Sequence, residues 1–518
     1  MTSLKRWKIS ESHFVLVIAL FNLLIYHLPL YQFVSNHLDM NTVNGVATLF
    51  VVAVIIFTFS ALAFFLVFLI SSRLAWLLLV LIILLNAIAL YFMLTYQVVF
   101  DKSMIANVLN TRASESYDYF HAKLLLYLCF FGFVPIVLML KCQIQKTKRL
   151  RLVWHALMTL AISLVLIYAN AASALWIDKY ASQLGRRILP WSYIINLAKY
   201  HREAAEPVAR KQLPPARVTN QAKTVVVLVI GETARAQNFS LYGYSRETNP
   251  KLSQADVIVL NDATACSTYT TASISCMLSH TEKHADDFEL LPSYLNRQGV
   301  DVIWHSNNWG EPPLSVATYR DKESLVAHCE AVYCDFDEVL LAGLKQRIES
   351  SDKQKIFVVL HSAGSHGPSY HNKYPPAFEA FKPVCQSVAL SQCSSQSLIN
   401  AYDNSILYTD YFLSQVIGML GTMPNIPSTM LYVSDHGESL GEYGLYLHGT
   451  PFAIAPDVQT KVPFLLWMSD SFMNNKRLYV ANFKQQATHS QYHVFHSVMG
   501  ALSMDSTAYN VDLDVFQQ

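Results

Sequence analysis

Three short segments of this chain combine carboxylates and imidazoles in the way that metal chemistry needs. They are Gly231-Glu232-Thr233, His361-Ser362-Ala363-Gly364-Ser365-His366-Gly367-Pro368 and Ser434-Asp435-His436-Gly437-Glu438, with His448-Gly449 following the last. Taken singly, each has an ordinary reading: Glu232 as a helix cap, His448 as a packed core residue. Together, Glu232, Asp435 and His436 make a mixed carboxylate and imidazole set that suits zinc or manganese. A fourth segment, from Cys266 to Cys276, is crowded with hydroxyls. A hydroxyl at a helix start gains from the local positive dipole. A bound divalent cation stabilises an attacking alkoxide far more. The residues themselves do not choose among Thr268, Thr270 and Thr271 as the nucleophile.

The first three segments each follow a short apolar run. Such runs occur at 224–230, 256–260, 300–304, 356–360, 429–433 and 463–467, separated by longer stretches. Continuous β-branched runs of this kind fit buried parallel strands. Their alternation with helix-length connections predicts a doubly wound α/β domain of about 300 residues. Ligands in such sheets gather beyond the carboxyl ends of the strands, where these segments lie.

The rest of the chain has a different composition. Of its 518 residues 53% are hydrophobic and 14% charged, against about 25% charged in an ordinary soluble protein. The apolar excess falls in five runs, about 13–34, 46–71, 74–99, 122–140 and 153–176. Each is near or above the ~20 residues that cross a bilayer as a helix. Lys5, Arg6, Lys8, Arg73 and the Lys141–Arg151 loop lie on one side, and Asp39, Asp101, Glu115 and Asp118 on the other. The positive-inside rule then places the N-terminus in the cytoplasm and everything after Trp176 outside. The expected domains are 1–180 in the membrane, a bridge over 181–220 and an exported catalytic domain over 221–518. The net charge of +1 excludes a globally basic nucleic-acid binder.

Six of the eight cysteines fall in the exported part as close neighbours: Cys266 with Cys276, Cys329 with Cys334, Cys385 with Cys393. Six cysteines allow 15 pairings. Sequential pairing is the economical choice, and such staples persist in an oxidising compartment such as the periplasm.

Several stretches carry a resemblance: LVIGETARAQNFSLYGY (228–244), the Cys266–Cys276 segment, VLHSAGSHGPSY (359–370), NAYDNSILYTDYFL (400–413) and SDHGESLGEYGLYLHGTPFAIAP (434–456). With the five apolar runs, they make the chain resemble the phosphoethanolamine transferases of the Gram-negative inner membrane. That family includes lipid A modifiers and polymyxin-resistance enzymes with a sulfatase or alkaline-phosphatase-like catalytic domain. The resemblance implies transfer of phosphoethanolamine from phosphatidylethanolamine to lipid A, with release of diacylglycerol, by a monomer that binds no nucleic acid. It makes Thr270 the nucleophile, and Glu232, Thr270, Asp435 and His436 the ligands of one zinc ion. His366 and His448 match residues that handle the phosphate or a second zinc. Asn107, Thr111 and Glu115 match residues that hold the ethanolamine head group. Their i, i+4, i+8 spacing sets them on one helix face.

The chain also departs from the family pattern. Many relatives carry a lysine and a further cysteine shortly after the WxxNN segment. Here Trp304-His305-Ser306-Asn307-Asn308 runs into Trp309-Gly310-Glu311-Pro312-Pro313, so the cationic phosphate contact is missing or comes from elsewhere. Ser275 stands where many relatives have proline, and Tyr269-Thr270-Thr271 replaces a more usual Ser-Thr-Ala.

Overall fold

The structure is a computed structural model that describes residues 7–110, 122–205, 210–282, 287–388, 390–478, 483 and 488–517. The chain divides into two compact units, an N-terminal one reaching Glu206 and a C-terminal one from Pro207 onward. Each is built on its own core.

The N-terminal unit is helical. Among the described residues, Val43–Ile70, Ser72–Tyr96, Ala122–Leu140 and Arg149–Tyr168 are long and apolar enough to cross a membrane. Hydroxyl side chains open two of these helices. Thr42 accepts from the Gly45 N–H and Ser71 from the Leu74 N–H, each satisfying a donor that the first turn leaves free. The apolar run read as one span over 13–34 is instead two helices, Glu11–Tyr26 and Leu28–His37, bent by 60° at His27. Pro29 lies just inside the second helix, where its missing N–H costs no bond. Carbonyls freed near the break find side-chain donors: Tyr31 donates to the Leu23 carbonyl at 2.7 Å, and His27 Nδ1 lies 3.0 Å from the Asn22 carbonyl. The run read as a span over 153–176 ends its helix at Tyr168, and a new helix starts at Ala174. The stretch read as a bridge carries the helix Trp191–Ala205.

The C-terminal unit is organised on a seven-stranded sheet. Its strands are β1 (Thr224–Gly231), β2 (Ile258–Leu260), β3 (Asp301–Ser306), β4 (Thr318–Asp321), β5 (Lys355–His361), β6 (Ser428–Ser434) and β7 (Phe464–Met468). They lie in the order β2-β7-β6-β1-β5-β3-β4. The neighbours from β6 through β4 pair in parallel. The run at 463–467, expected among the parallel strands, forms β7 and pairs antiparallel with both its neighbours. An isolated apolar run carries no sign of direction, which the connecting segments set. β4 escaped the sequence reading because Thr-Tyr-Arg-Asp is an edge strand with half-exposed side chains.

Every residue of β1 is buried, so both faces of the sheet are covered. Val226, Leu228 and Ile230 pack in one core with Leu291, Tyr294, Phe495 and Val498. Val225, Val227 and Val229 point the other way. The helix Ser395–Gly421, opened by the Ser394 side chain, packs against β6.

Candidate active site

The register of the sheet decides what meets at its carboxyl edge. Gly231 of β1 lies opposite Ser434 of β6, Ile230 opposite His361 of β5, and Ser306 of β3 also opposite His361. The four strands therefore end nearly level. The next residues, Glu232, Asn307-Asn308, Ser362 and Asp435-His436, leave the sheet side by side. Thr270 arrives from elsewhere: Tyr269 is extended and Thr270 begins the helix Thr270–Met277. The Cys266–Cys276 disulfide ties the loop before that helix to its last turn, with 6.3 Å between Cα atoms. The other expected pairs, Cys329–Cys334 and Cys385–Cys393, are also bonded.

Glu232, Asp435 and His436 are buried and offer ligand atoms that lie within 4.8 Å of one another. Thr270 Oγ1 is 3.3 Å from Glu232 Oε2 and 3.4 Å from His436 Nε2. The His436 Nδ1–H donates to the Gly437 carbonyl at 2.9 Å, which leaves a lone pair on Nε2. Among the described residues no group hydrogen-bonds to Asp435 Oδ2, which stands 3.2 Å from that Nε2. Two acceptors facing each other in a buried space repel unless a cation lies between them. Burial, and the neighbouring Asp435, push the Glu232 carboxyl up; burial likewise raises Asp435. Burial and His448 pull the His436 imidazole down to about 3, so it stays neutral. Two carboxylates short of positive charge, a neutral imidazole and a hydroxyl form a donor set that fits a divalent cation.

Comparison with known proteins identifies the family. The sulfatase family matches residues 224–504, and the family described as phosphoethanolamine transferase EptA/EptB matches residues 58–205. A phosphoethanolamine transferase EptA of Helicobacter pylori is 36% identical over 507 residues, 95% of this chain and 94% of that protein. The chain belongs to the phosphoethanolamine transferase family. The phosphatidylethanolamine transferase Mcr-1 of Escherichia coli is 32% identical over 75% of this chain and 77% of its own. The solved integral membrane lipooligosaccharide phosphoethanolamine transferase A of Neisseria meningitidis superposes with a TM-score of 0.86 at 28% identity, covering 99% of each chain.

Around this cluster sit further groups. The His448 ring lies 4.2 Å from the His436 ring and 5.7 Å from that of His366. Its Nδ1 is 3.2 Å from Glu438 Oε1. Burial alone would lower His448, but Glu438 outweighs it and raises the imidazole; His366 is pulled well down by burial and Lys373. Asn107 lies on the helix Lys102–Asn110, but its side chain is outside the described set, and Thr111 and Glu115 lie outside the described residues.

The sequence reading missed the groups that hold these in place. Asn308 Nδ2 donates to Glu232 Oε2 at 2.8 Å and to the Ser362 carbonyl at 2.9 Å. Asp337 accepts from Asn307 Nδ2 and the Ala363 N–H, each at 2.8 Å, and from the Gly364 N–H at 3.1 Å. Asn308 was within reach of the sequence, since the WxxNN segment follows a strand. Asp337 was not: it reaches the site from a 3₁₀ turn with no strand before it.

Proposed function

We propose that this chain transfers phosphoethanolamine from phosphatidylethanolamine to lipid A, with Thr270 as the nucleophile. The observation that carries this reading is the buried Thr270 hydroxyl, at a helix start and within 3.4 Å of His436 Nε2 and 3.3 Å of Glu232. Glu232, Thr270, Asp435 and His436 would hold a zinc ion. When bound, the ion lowers the effective pKa of the threonine hydroxyl and offsets charge on the phosphoryl oxygens.

In the first step Thr270 Oγ1 gives up its proton and attacks phosphorus, and the bond from phosphorus to the diacylglycerol oxygen breaks. That oxygen takes up a proton and diacylglycerol leaves, with phosphoethanolamine esterified to Thr270. In the second step an oxygen of a lipid A phosphate attacks the same phosphorus, and Thr270 recovers its hydroxyl. His366 and His448 are assigned to the phosphate, with a second metal at these residues as the alternative role. Asn107, Thr111 and Glu115 are assigned to the ethanolamine ammonium. Residues 1–180 form the membrane domain, 181–220 the bridge and 221–518 a periplasmic catalytic domain of a monomer, with the N-terminus cytoplasmic. The added ammonium weakens the attraction of lipid A for cationic peptides such as polymyxin.

The test is mass spectrometry of lipid A from cells expressing the chain or its Thr270→Ala variant. A phosphoethanolamine adduct only with the intact threonine is expected. An adduct of equal abundance in the folded variant, or none from either chain, would reject the proposal as stated.

A further inference from the structure

Glu311 follows the WxxNN segment, and its carboxylate is turned inward. His361 Nδ1 lies 2.9 Å from Glu311 Oε1, with the imidazole fully buried and the carboxylate only 11% exposed. Ser306 Oγ donates to the same Oε1. Ser306 Oγ also accepts from the Asn308 N–H at 3.2 Å, and the His361 carbonyl accepts from the Asn307 N–H at 2.9 Å. The Asn308 side chain is fixed in turn: its Oδ1 accepts from the Trp309 N–H at 2.9 Å, which leaves Nδ2 for Glu232. One unbroken chain of contacts therefore runs from Glu311 through Ser306 and Asn308 to the carboxylate that closes the metal-type cluster.

We propose that Glu311 is a positioning residue for Glu232, acting through Ser306 and Asn308 and held in place by His361. Its contacts run to Ser306 and His361, and it reaches the cluster through them. An Asn308 main chain free to shift would let the Glu232 carboxylate rotate, and outer partners of a metal ligand commonly carry 10- to 100-fold in affinity (on the order of). The opposing charges of Glu311 and His361 make the arrangement self-consistent: burial pushes Glu311 up, yet His361 and Ser306 outweigh it and hold the carboxyl at about 2.

The proposal rests on reading Glu232, Asp435 and His436 as a metal site, and the test separates the two. Zinc dissociation constants of the full-length chain in detergent are measured by chelator competition for the parent, Glu232→Ala, Glu311→Ala, Glu311→Gln, Ser306→Ala and the Glu311→Ala/Ser306→Ala double variant. Melting temperatures are read alongside. Loss of about 10-fold or more in zinc affinity is expected for Glu311→Ala. Glu311→Gln, which keeps an acceptor for Ser306, is expected to recover part of it, and the double variant to be no weaker than the worse single one. Zinc binding lost in Glu232→Ala but within twofold of the parent in Glu311→Ala and Glu311→Gln overturns the positioning role and leaves the metal reading standing. Fully additive losses in the double variant also overturn it, because they break the route through Ser306. A parent that binds no zinc sinks both. If Glu311→Ala does not fold, Glu311→Gln against Ser306→Ala decides.

Discussion

Gly364 offers the sharpest test of how the sheet edge builds the site. It lies in the loop after β5 with φ at +46°, and an added Cβ would stand 2.6 Å from the Glu232 carbonyl oxygen and 3.0 Å from its nitrogen. Both are backbone atoms, so no rotamer change relieves the contact. Ordinary Cβ contacts begin at 3.4 Å, which requires the loop or Glu232 to move by roughly 0.8 Å. The loop resists, because Asp337 holds the Gly364 N–H and the Ser365 N–H donates to the Glu232 carbonyl at 3.0 Å. The displacement therefore falls largely on Glu232. A misplacement of about 1 Å in a catalytic constellation costs on the order of 10²-fold in rate. A non-glycine residue in the left-handed region adds about 1–2 kcal/mol of backbone strain.

The comparison that isolates the clash is Gly343→Ala. Gly343 has φ at +65° and nothing within 4 Å of an added Cβ. It carries similar backbone strain with no contact on the site. We expect both variants to melt earlier than the parent, but only Gly364→Ala to lose zinc affinity and about 10²-fold in kcat/KM with phosphatidylethanolamine. Equal zinc affinity and equal kcat/KM in the two folded variants would refute the reasoning, since the Cβ would then have been absorbed without moving Glu232.

Thr270→Ala should lose on the order of 10⁴-fold or more in kcat while melting within a few degrees of the parent, because its hydroxyl makes only long contacts at 3.3 and 3.4 Å; Thr270→Ser should keep measurable turnover. Replacing Cys266 and Cys276 together by alanine opens a loop of sequence separation 10 and should cost about 2–3 kcal/mol, seen as earlier melting, with a fall in kcat as the helix start bearing Thr270 loosens. Asp514 is raised by burial from 3.8 to about 6, against hydrogen bonds from Tyr509 and the Phe516 N–H that lower it. A carboxyl raised on folding contributes stability below its unfolded pKa and loses it as pH rises through the folded one. Asp514→Asn, which mimics the protonated acid, should therefore gain up to about 3 kcal/mol over the parent above pH ~7 and nothing below pH ~4, as read by melting across pH.

The sequence announced the site better than the frame around it. Glu232, Asp435 and His436 were legible because each follows an apolar strand run within three residues, and strand ends are where such sheets place their chemistry. Thr270 was narrowed only by resemblance, since its segment offers several hydroxyls and the helix start is fixed by the extended Tyr269, which no local pattern reveals. The break at His27 was hidden for a related reason. The run 13–34 is apolar almost throughout, and a bent pair of helices buries such a run as well as a straight one. The polar residues within and beyond it were the overlooked sign: Asn86 donates to Asn22 Oδ1 at 2.8 Å, and Tyr193 donates to Asn86 Oδ1 at 3.0 Å. These contacts join residues 64 and 107 positions apart, which no window along the chain can see. Glu311 and Asp337 were missed because they act on neighbours rather than on the site itself.

The distribution of charge at the sheet edge explains why this constellation fits a metal rather than protons alone. Carboxylates crowd there, among them the buried Glu232, Asp435 and Glu438 and, further out, the nearly buried Glu311. The outer two each have a histidine of their own, Glu311 with His361 at 2.9 Å and Glu438 with His448 at 3.2 Å, and both imidazoles are raised by the pairing. The inner two both lie against His436, whose imidazole stays neutral and presents a lone pair instead of a proton. Raising that imidazole to a cation would satisfy the carboxylates but remove a metal ligand. Pairing the outer carboxylates with His361 and His448 thus confines the deficit of positive charge to the space between Glu232, Asp435, His436 and Thr270. A divalent cation there would meet the deficit that burial creates, and the Thr270 hydroxyl is placed to share it.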